Sequence, residues 1–325
     1  MLKTLKVFAI LSRIFFVLTV LGCIFVLGTF LYFSYNLPEP EQLTKRKVEQ
    51  STKIYDRNNI LLYEVFGDKD RTVVPLEQIS PYVIQAILST EDGDFYKHQG
   101  LDPLSIARAF YNTATGKGTQ GGSTITQQLI KNALLEPGVT FWERGLRKIK
   151  EYILTLQIEK KFTKDKILAD YLNEVSFGGT AYGIQSASEL YFDKNASELS
   201  LHEAAYLSGL PQSPSNYNAY GTNPQSGLAR QKDVLWLMRN KGWTTKSGQK
   251  QVISSTDYQN ALNEELVFES SIQNIQAPHF VFYVLDKLNE KYGEELVKSA
   301  GLNITTSLDL EKQNNLQQIV SEEVS

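Results

Sequence analysis

From Ile14 to Phe33 the chain runs 20 residues without a charge, mostly Leu, Val, Phe, Ile and Gly. At the rise of an α-helix such a run covers about 30 Å, the hydrocarbon thickness of a bilayer. It divides the chain into a short tip, a membrane-sized segment and a remainder that must fold on one side. Lys3, Lys6 and Arg13 precede the run, Glu39 and Glu41 follow it, and the next base is Lys45. This asymmetry predicts one transmembrane helix, with the N-terminus cytoplasmic and everything after about Asn36 outside. A cleaved signal peptide fits less well, because the apolar core is long and no small-residue cleavage site follows. Val20-Leu21-Gly22-Cys23 has a loose likeness to a lipoprotein box, but Leu21 is bulky there and ten more apolar residues follow.

Composition closes several other routes. With 33 basic and 36 acidic side chains in 325 residues, the formal net charge is −3, which gives no reason to expect nucleic acid. Cys23 is the sole cysteine, so neither a disulfide framework nor a Cys-rich zinc site is available. His98, His202 and His279 show no ligand spacing, and no metal ligands are assigned.

The outer part reads as mainly α with a minor β element. Residues 36–50 form a polar, Pro-containing stalk. Thr52 to Asp56, a turn at Asn58-Asn59, and Ile60 to Val65 predict a small hairpin. Ser80-Pro81 then opens a helix with an apolar stripe at Val83, Ile84, Ile87 and Leu88. Asp102-Pro103 starts a second helix that stops near Gly116. Thr124 with Gln127 is a capping box for a third, ended by Pro137-Gly138. Thr140 with Glu143 caps a fourth that runs to about Phe162, with Leu146, Ile149, Ile153 and Leu156 as its buried stripe. Ser200 with Glu203 caps another. The expected organisation is a cytoplasmic tip and anchor at 1–35, the stalk at 36–50, one domain at 51–243, and a linker or junction at 244–325.

Three segments carry chemistry. Glu91-Asp92-Gly93-Asp94-Phe95-Tyr96-Lys97-His98-Gln99-Gly100 sets three acids at the exit of an apolar helix. Burial and neighbouring carboxylates raise a carboxyl pKa toward the range of a general base. Gly121-Gly122-Ser123-Thr124-Ile125-Thr126-Gln127-Gln128 runs from a Gly-rich loop into a helix N-terminus, with Lys131-Asn132 following. Helix N-termini attract phosphate, although this is no Walker loop. Thr124, Gln128 and Lys131 share one helix face. On the long helix Lys148, Glu151, Thr155 and Glu159 fall on one side with Arg147 beside them. Taken singly, the three read equally as an acidic turn, a capped helix after a loop, and an ion-paired helix face.

Taken in order, they resemble the glycosyltransferase domain of class A penicillin-binding proteins and of monofunctional peptidoglycan glycosyltransferases. Glu91, Asp92, Phe95, His98 and Gly100 match the first family motif, Gly121 to Gln128 the second, and Arg147, Lys148, Glu151 and Glu159 the third. Tyr171-Leu172-Asn173, Tyr182-Gly183 and Gly209-Leu210-Pro211-Gln212 resemble later family segments, while Ala169 and Ser188 depart from the pattern. The likeness covers about residues 45–240.

The resemblance implies a lysozyme-like, mainly α domain that polymerises lipid II, a disaccharide-peptide on a polyprenyl diphosphate, into β-1,4 glycan with inversion. It implies Glu91 as general base and Glu159 as second essential acid, orienting the diphosphate through a base or helping to hold a divalent cation. Asp92, Phe95 and His98 would shape the pocket. Thr124 and Gln128 would position substrate, with Ser123, Gln127, Asn132 and Glu151 also in the binding set. Lys131, Arg147 and Lys148 would take the diphosphate charge. No cofactor is required, and Mg or Mn at the diphosphate is left open. Implied partners are lipid II, the growing glycan, the bacterial plasma membrane and other cell-wall synthesis proteins. Ala277-Pro278-His279-Phe280-Val281 and Thr305-Thr306-Ser307-Leu308-Asp309 look like the junction to a transpeptidase domain. No Lys-Thr-Gly is present, and Ser247-Gly248-Gln249-Lys250 lies in a polar loop, so penicillin-binding serine chemistry is not expected within these residues. Two other readings are a lytic, lysozyme-like enzyme and a non-catalytic wall scaffold.

Overall fold

The computed structural model describes residues 10, 12–22, 24, 28–29, 32, 37–45, 50–65, 70–115, 121–135, 140–220, 223–269 and 275–324. Among them no helix is long and apolar enough to cross a membrane. Residues 12–22 are helical, but much of the rest of the apolar run lies outside the described residues. So do the loop residues 116–120, the expected Pro137-Gly138 stop and parts of the stalk.

The hairpin expected near the start is present. Strand β1 (Thr52–Tyr55) pairs antiparallel with β2 (Leu61–Val65) and carries a bulge between Ile54 and Tyr55. Asn59 in the turn takes φ 63°, a conformation asparagine tolerates. The main body follows as α1 (Pro81–Glu91), α2 (Pro103–Ala114), α3 (Ile125–Ala133), α4 (Phe141–Lys161), α5 (Lys164–Glu174), α6 (Ile184–Phe192), α7 (Leu201–Gly209) and α8 (Pro224–Asn240). Next come a small hairpin, β3 (Trp243–Thr244) with β4 (Lys250–Gln251), and α9 (Ser255–Asn263). The chain ends in α10 (Pro278–Tyr292), α11 (Glu294–Ser299), β5 (Asn303–Thr305) and α12 (Leu310–Val324).

The capping signals work locally, with one exception. Thr124 accepts from the Gln127 backbone while Gln127 returns a bond to the Thr124 amide, and Thr140 and Glu143 do the same for α4. At Ser200 both the amide and the hydroxyl donate to Glu203. Ser80 is the exception. Its hydroxyl donates to the Leu199 carbonyl instead of capping α1, so a tertiary bond has replaced the local one.

Helices α1, α7 and α8 pack on one another, and α3 lies against both α4 and α5. Ile87, Leu129, Leu154, Leu168, Tyr171, Tyr191 and Tyr206 are buried in one continuous core. Each such side chain contributes about 1.5–3 kcal/mol by leaving water. A second, smaller core joins Ile54, Leu62 and Val65 of the hairpin to Val281 and Leu310. There β5 pairs parallel to β1, so residues at the two ends of the described chain share one sheet.

The expected buried stripe of α4 is corrected. Leu146 and Leu156 are 41% and 45% exposed, and the buried face is Glu151, Ile153, Leu154, Thr155 and Ile158. Polar side chains turn inward because α3 meets them with polar groups, as when the Thr126 hydroxyl donates to Glu159. A hydropathy wheel assumes that the inner neighbour is apolar.

Close packing of α8 turns on Gly227. A Cβ there would lie 2.3 Å from the Tyr217 carbonyl oxygen and 3.0 Å from the Tyr206 ring. Gly227→Ala is expected to destabilise by about 1–3 kcal/mol, read as a lower midpoint in urea unfolding with an unchanged slope.

Candidate active site

Glu91 is the last residue of α1. One carboxylate oxygen, Oε2, accepts from Gln128 Nε2 at 2.7 Å, and the same amide's oxygen accepts from the Tyr171 hydroxyl at 3.2 Å. The buried Tyr171 therefore fixes which way the Gln128 amide faces. Burial pushes the Glu91 carboxyl above the ordinary glutamate value. The Gln128 bond and the nearby Arg230 charge oppose that rise, and the Asp92 charge adds to it.

Asp92 has a different task. Its Oδ2 accepts from the Ile125 amide at 3.1 Å, and its Oδ1 lies 2.8 Å from His98 Nε2. His98 Nδ1 accepts from the Gly100 amide at 3.0 Å, so the ring proton belongs on Nε2, directed at Asp92. Phe95 is fully buried, with Lys164 Nζ 4.3 Å from its ring centroid. The Thr124 hydroxyl donates to the Gly100 carbonyl at 2.6 Å. The first and second motifs are thus one hydrogen-bonded unit. Gln127 is absorbed in the cap, and Thr124 is buried within the joint.

Lys148 Nζ bonds Ser123 Oγ at 3.0 Å and Glu151 Oε2 at 2.7 Å, and Arg147 Nε is 3.5 Å from Glu151 Oε1. Glu151 is buried and holds both cations from below. Glu159 is not brought to Glu91 in the same way. It accepts from Thr126 and from Lys164 Nζ at 2.8 Å. Thr126 and Gln128 are two residues apart on α3, about 200° around the helix, so Glu159 and Glu91 are bonded to opposite sides of it. Glu159 also closes the turn at Gly100. That residue has φ 84°, and a Cβ there would fall 2.7 Å from Glu159 Cγ.

Two cavities adjoin. One, of about 400 Å³, is lined by Glu91, Asp92, Ser123, Thr124, Gln212, Arg230 and Lys250, among others. The second, of about 670 Å³, is lined by Lys131, Asn132, Arg147, Glu174, Tyr182 and again Gln212. Gln212 forms a wall of both. Lys131 and Asn132 are exposed on α3. Tyr171 and Gln212 belong to segments quoted for the resemblance but carried no assigned role. Arg230 had no signal, since only packing brings α8 beside Glu91. Among the described residues no group of three or more His, Cys, Asp or Glu is placed to hold a metal ion.

A half-buried carboxylate thus lines one cavity, and cations line the next. A family model described as Transglycosylase matches residues 58–239. The chain belongs to the transglycosylase family, as its motifs implied. It is 38% identical over 289 residues to penicillin-binding protein 1A of Aquifex aeolicus, covering 88% of this chain and 38% of that protein. Penicillin-binding protein 1A of Escherichia coli is 34% identical over 305 residues, covering 94% of this chain and 34% of that one. The chain thus spans little more than a third of the length of these relatives. A crystal structure of penicillin-binding protein 1A from Haemophilus influenzae aligns with 84% of this chain and 29% of that one, at 22% identity and a TM-score of 0.44.

Asp92 ties two segments through buried bonds. Asp92→Ala is expected to cost about 1–3 kcal/mol in stability, because it strands the Ile125 amide and His98. Hydrogen exchange should show the gain in amide exchange concentrated at the start of α3.

Proposed function

We propose that this chain is a membrane-anchored peptidoglycan glycosyltransferase on a lysozyme-like fold, polymerising lipid II with release of polyprenyl diphosphate. The observation that carries this reading is the Glu91 carboxylate, bonded to Gln128, on a cleft that continues past Gln212 to Lys131 and Arg147. Glu91 takes the proton from the 4-hydroxyl of the acceptor GlcNAc. That oxygen attacks C1 of the donor MurNAc from the face opposite the diphosphate, so α becomes β. Base and leaving group then stand on opposite sides of the sugar.

Negative charge grows on the departing diphosphate, and fixed cations stabilise it best in a site partly closed to water. Lys131 and Arg147 meet it in the second cavity. Lys148 is held by Ser123 and Glu151 at the junction of α3 and α4. Glu159 acts as a positioning residue, since it holds Thr126 and Lys164.

The apolar run 14–33 anchors the enzyme where both substrates are embedded, which raises their effective concentration. The exposure of Phe141 and Trp142, each 77%, fits a membrane-facing start of α4 rather than a role in the core. Leu104, Leu146 and Leu156 are exposed as well.

The full chain in detergent, incubated with lipid II, should yield polymer and free lipid diphosphate. Shortening of preformed glycan without polymer would establish the lytic alternative instead. Glu91→Gln should lower the polymerisation rate by about 10²–10⁴, and undiminished polymerisation would remove Glu91 as base. The base works ionised, so activity falls as pH drops through its raised pKa. The acid limb should therefore lie above the ordinary glutamate value. Gln128→Met removes a bond that favours the ionised form and should move that limb to higher pH still.

A further inference from the structure

The hairpin β3–β4 lies beyond residues 58–239, yet it is bolted to the turn that follows Glu91. The Thr244 amide donates to the Gly93 carbonyl at 2.8 Å, and the Thr244 hydroxyl donates to Asp94 Oδ1 at 2.7 Å. Gly242 takes φ 60°, and a Cβ there would sit 1.8 Å from the Gln251 carbonyl oxygen, so only glycine closes this base. Trp243 is buried in the main core. The hairpin is therefore a fixed wall. Its Lys250 Nζ lies 3.6 Å from the Cβ position of Gly93, two residues from Glu91.

Lys250, Lys241 and Arg230 line the same cavity as Glu91. The acids of that cavity wall are already engaged, Glu91 by the Gln128 amide. Asp92 holds Ile125 and His98, Asp94 holds Thr244 and Lys97, and Asp102 holds Ser105 and the Leu104 amide. The cations are held less tightly. Lys250 stands near Asp94 and Arg230 near Glu91, but the exposed side chains of Lys241 and Lys250 make no hydrogen bond or ion pair among the described residues, and Arg230 Nε is buried without a hydrogen-bond partner. Ammonium groups without a direct partner along a cleft attract an anion.

We infer that Lys241 and Lys250 form an anion-binding rim, with Arg230 behind them, that holds a phosphate or carboxylate of the acceptor while its sugar hydroxyl meets Glu91. This rests on the glycosyltransferase reading and assigns it a binding element separate from the Lys131–Arg147 cavity. The anion is either the acceptor's diphosphate or a carboxylate of its peptide arm.

The test is steady-state polymerisation by the full chain in detergent, using lipid II and lipid II with its peptide carboxylates amidated. The double variant Lys241→Ala, Lys250→Ala should raise KM for lipid II about tenfold, with kcat changed less than about twofold. Lys250→Arg in the wild-type background should restrict that rise. The wild-type KM should also grow more steeply with salt than the variant's. If the KM effect vanishes on the amidated substrate, the anion is the peptide carboxylate; if it persists, the anion is the diphosphate. An unmoved KM, or a fall in kcat alone, overturns the inference while polymerisation by the wild type leaves the functional reading standing. Absence of polymer from the wild type overturns both.

Discussion

The buried Asp92 carboxylate is the joint on which the active site depends. It accepts a backbone N–H from the first turn of α3 and faces the protonated nitrogen of His98. One side chain thereby fixes the helix carrying Gln128 and Lys131 against the end of α1, which carries Glu91. A charged acceptor at a helix N-terminus is favoured both by the free amide and by the helix dipole. Its burial makes the alternative, an unpaired carboxylate away from water, too costly to populate. Glu91, the residue just before it, is left free to face the cleft with only the Gln128 amide on it.

Two adjacent acids thus reach different ends through their surroundings. Asp92 receives a backbone donor and a histidine, which hold it in place. Glu91 receives one neutral amide in a setting that disfavours charge, which suits the proton-accepting role proposed for it. The third acid region divides in the same way. Glu151 gathers Arg147 and Lys148 beside the cleft, whereas Glu159 is absorbed by Thr126 and Lys164 on the far side of α3.

The polar inner face of α4 has an outward consequence. With Glu151 and Thr155 buried and Glu159 bonded to Thr126, Leu146 and Leu156 are left outside, near a helix start with Phe141 and Trp142 also exposed. On the membrane-anchored reading proposed above, such a surface faces lipid. The small sheet is arranged just as non-locally. Its third strand comes from Asn303–Thr305, and its core is completed by Val281 and Leu310.

The sequence by itself determined what is local. The hairpin at Thr52–Val65, the capping boxes at Thr124 and Thr140, the mainly helical content and the three motifs could all be read from spacing. Each rests on residues within a turn or two of one another. Tertiary structure decided the rest: that Ser80 bonds Leu199 rather than its own helix, and that Tyr171 orients Gln128. It also decided that α4 turns its carboxylates inward, and that Arg230 and the β3–β4 hairpin stand beside Glu91. The physical reason is that a side chain's neighbours across a core depend on how helices pack, and packing is set by all the faces together.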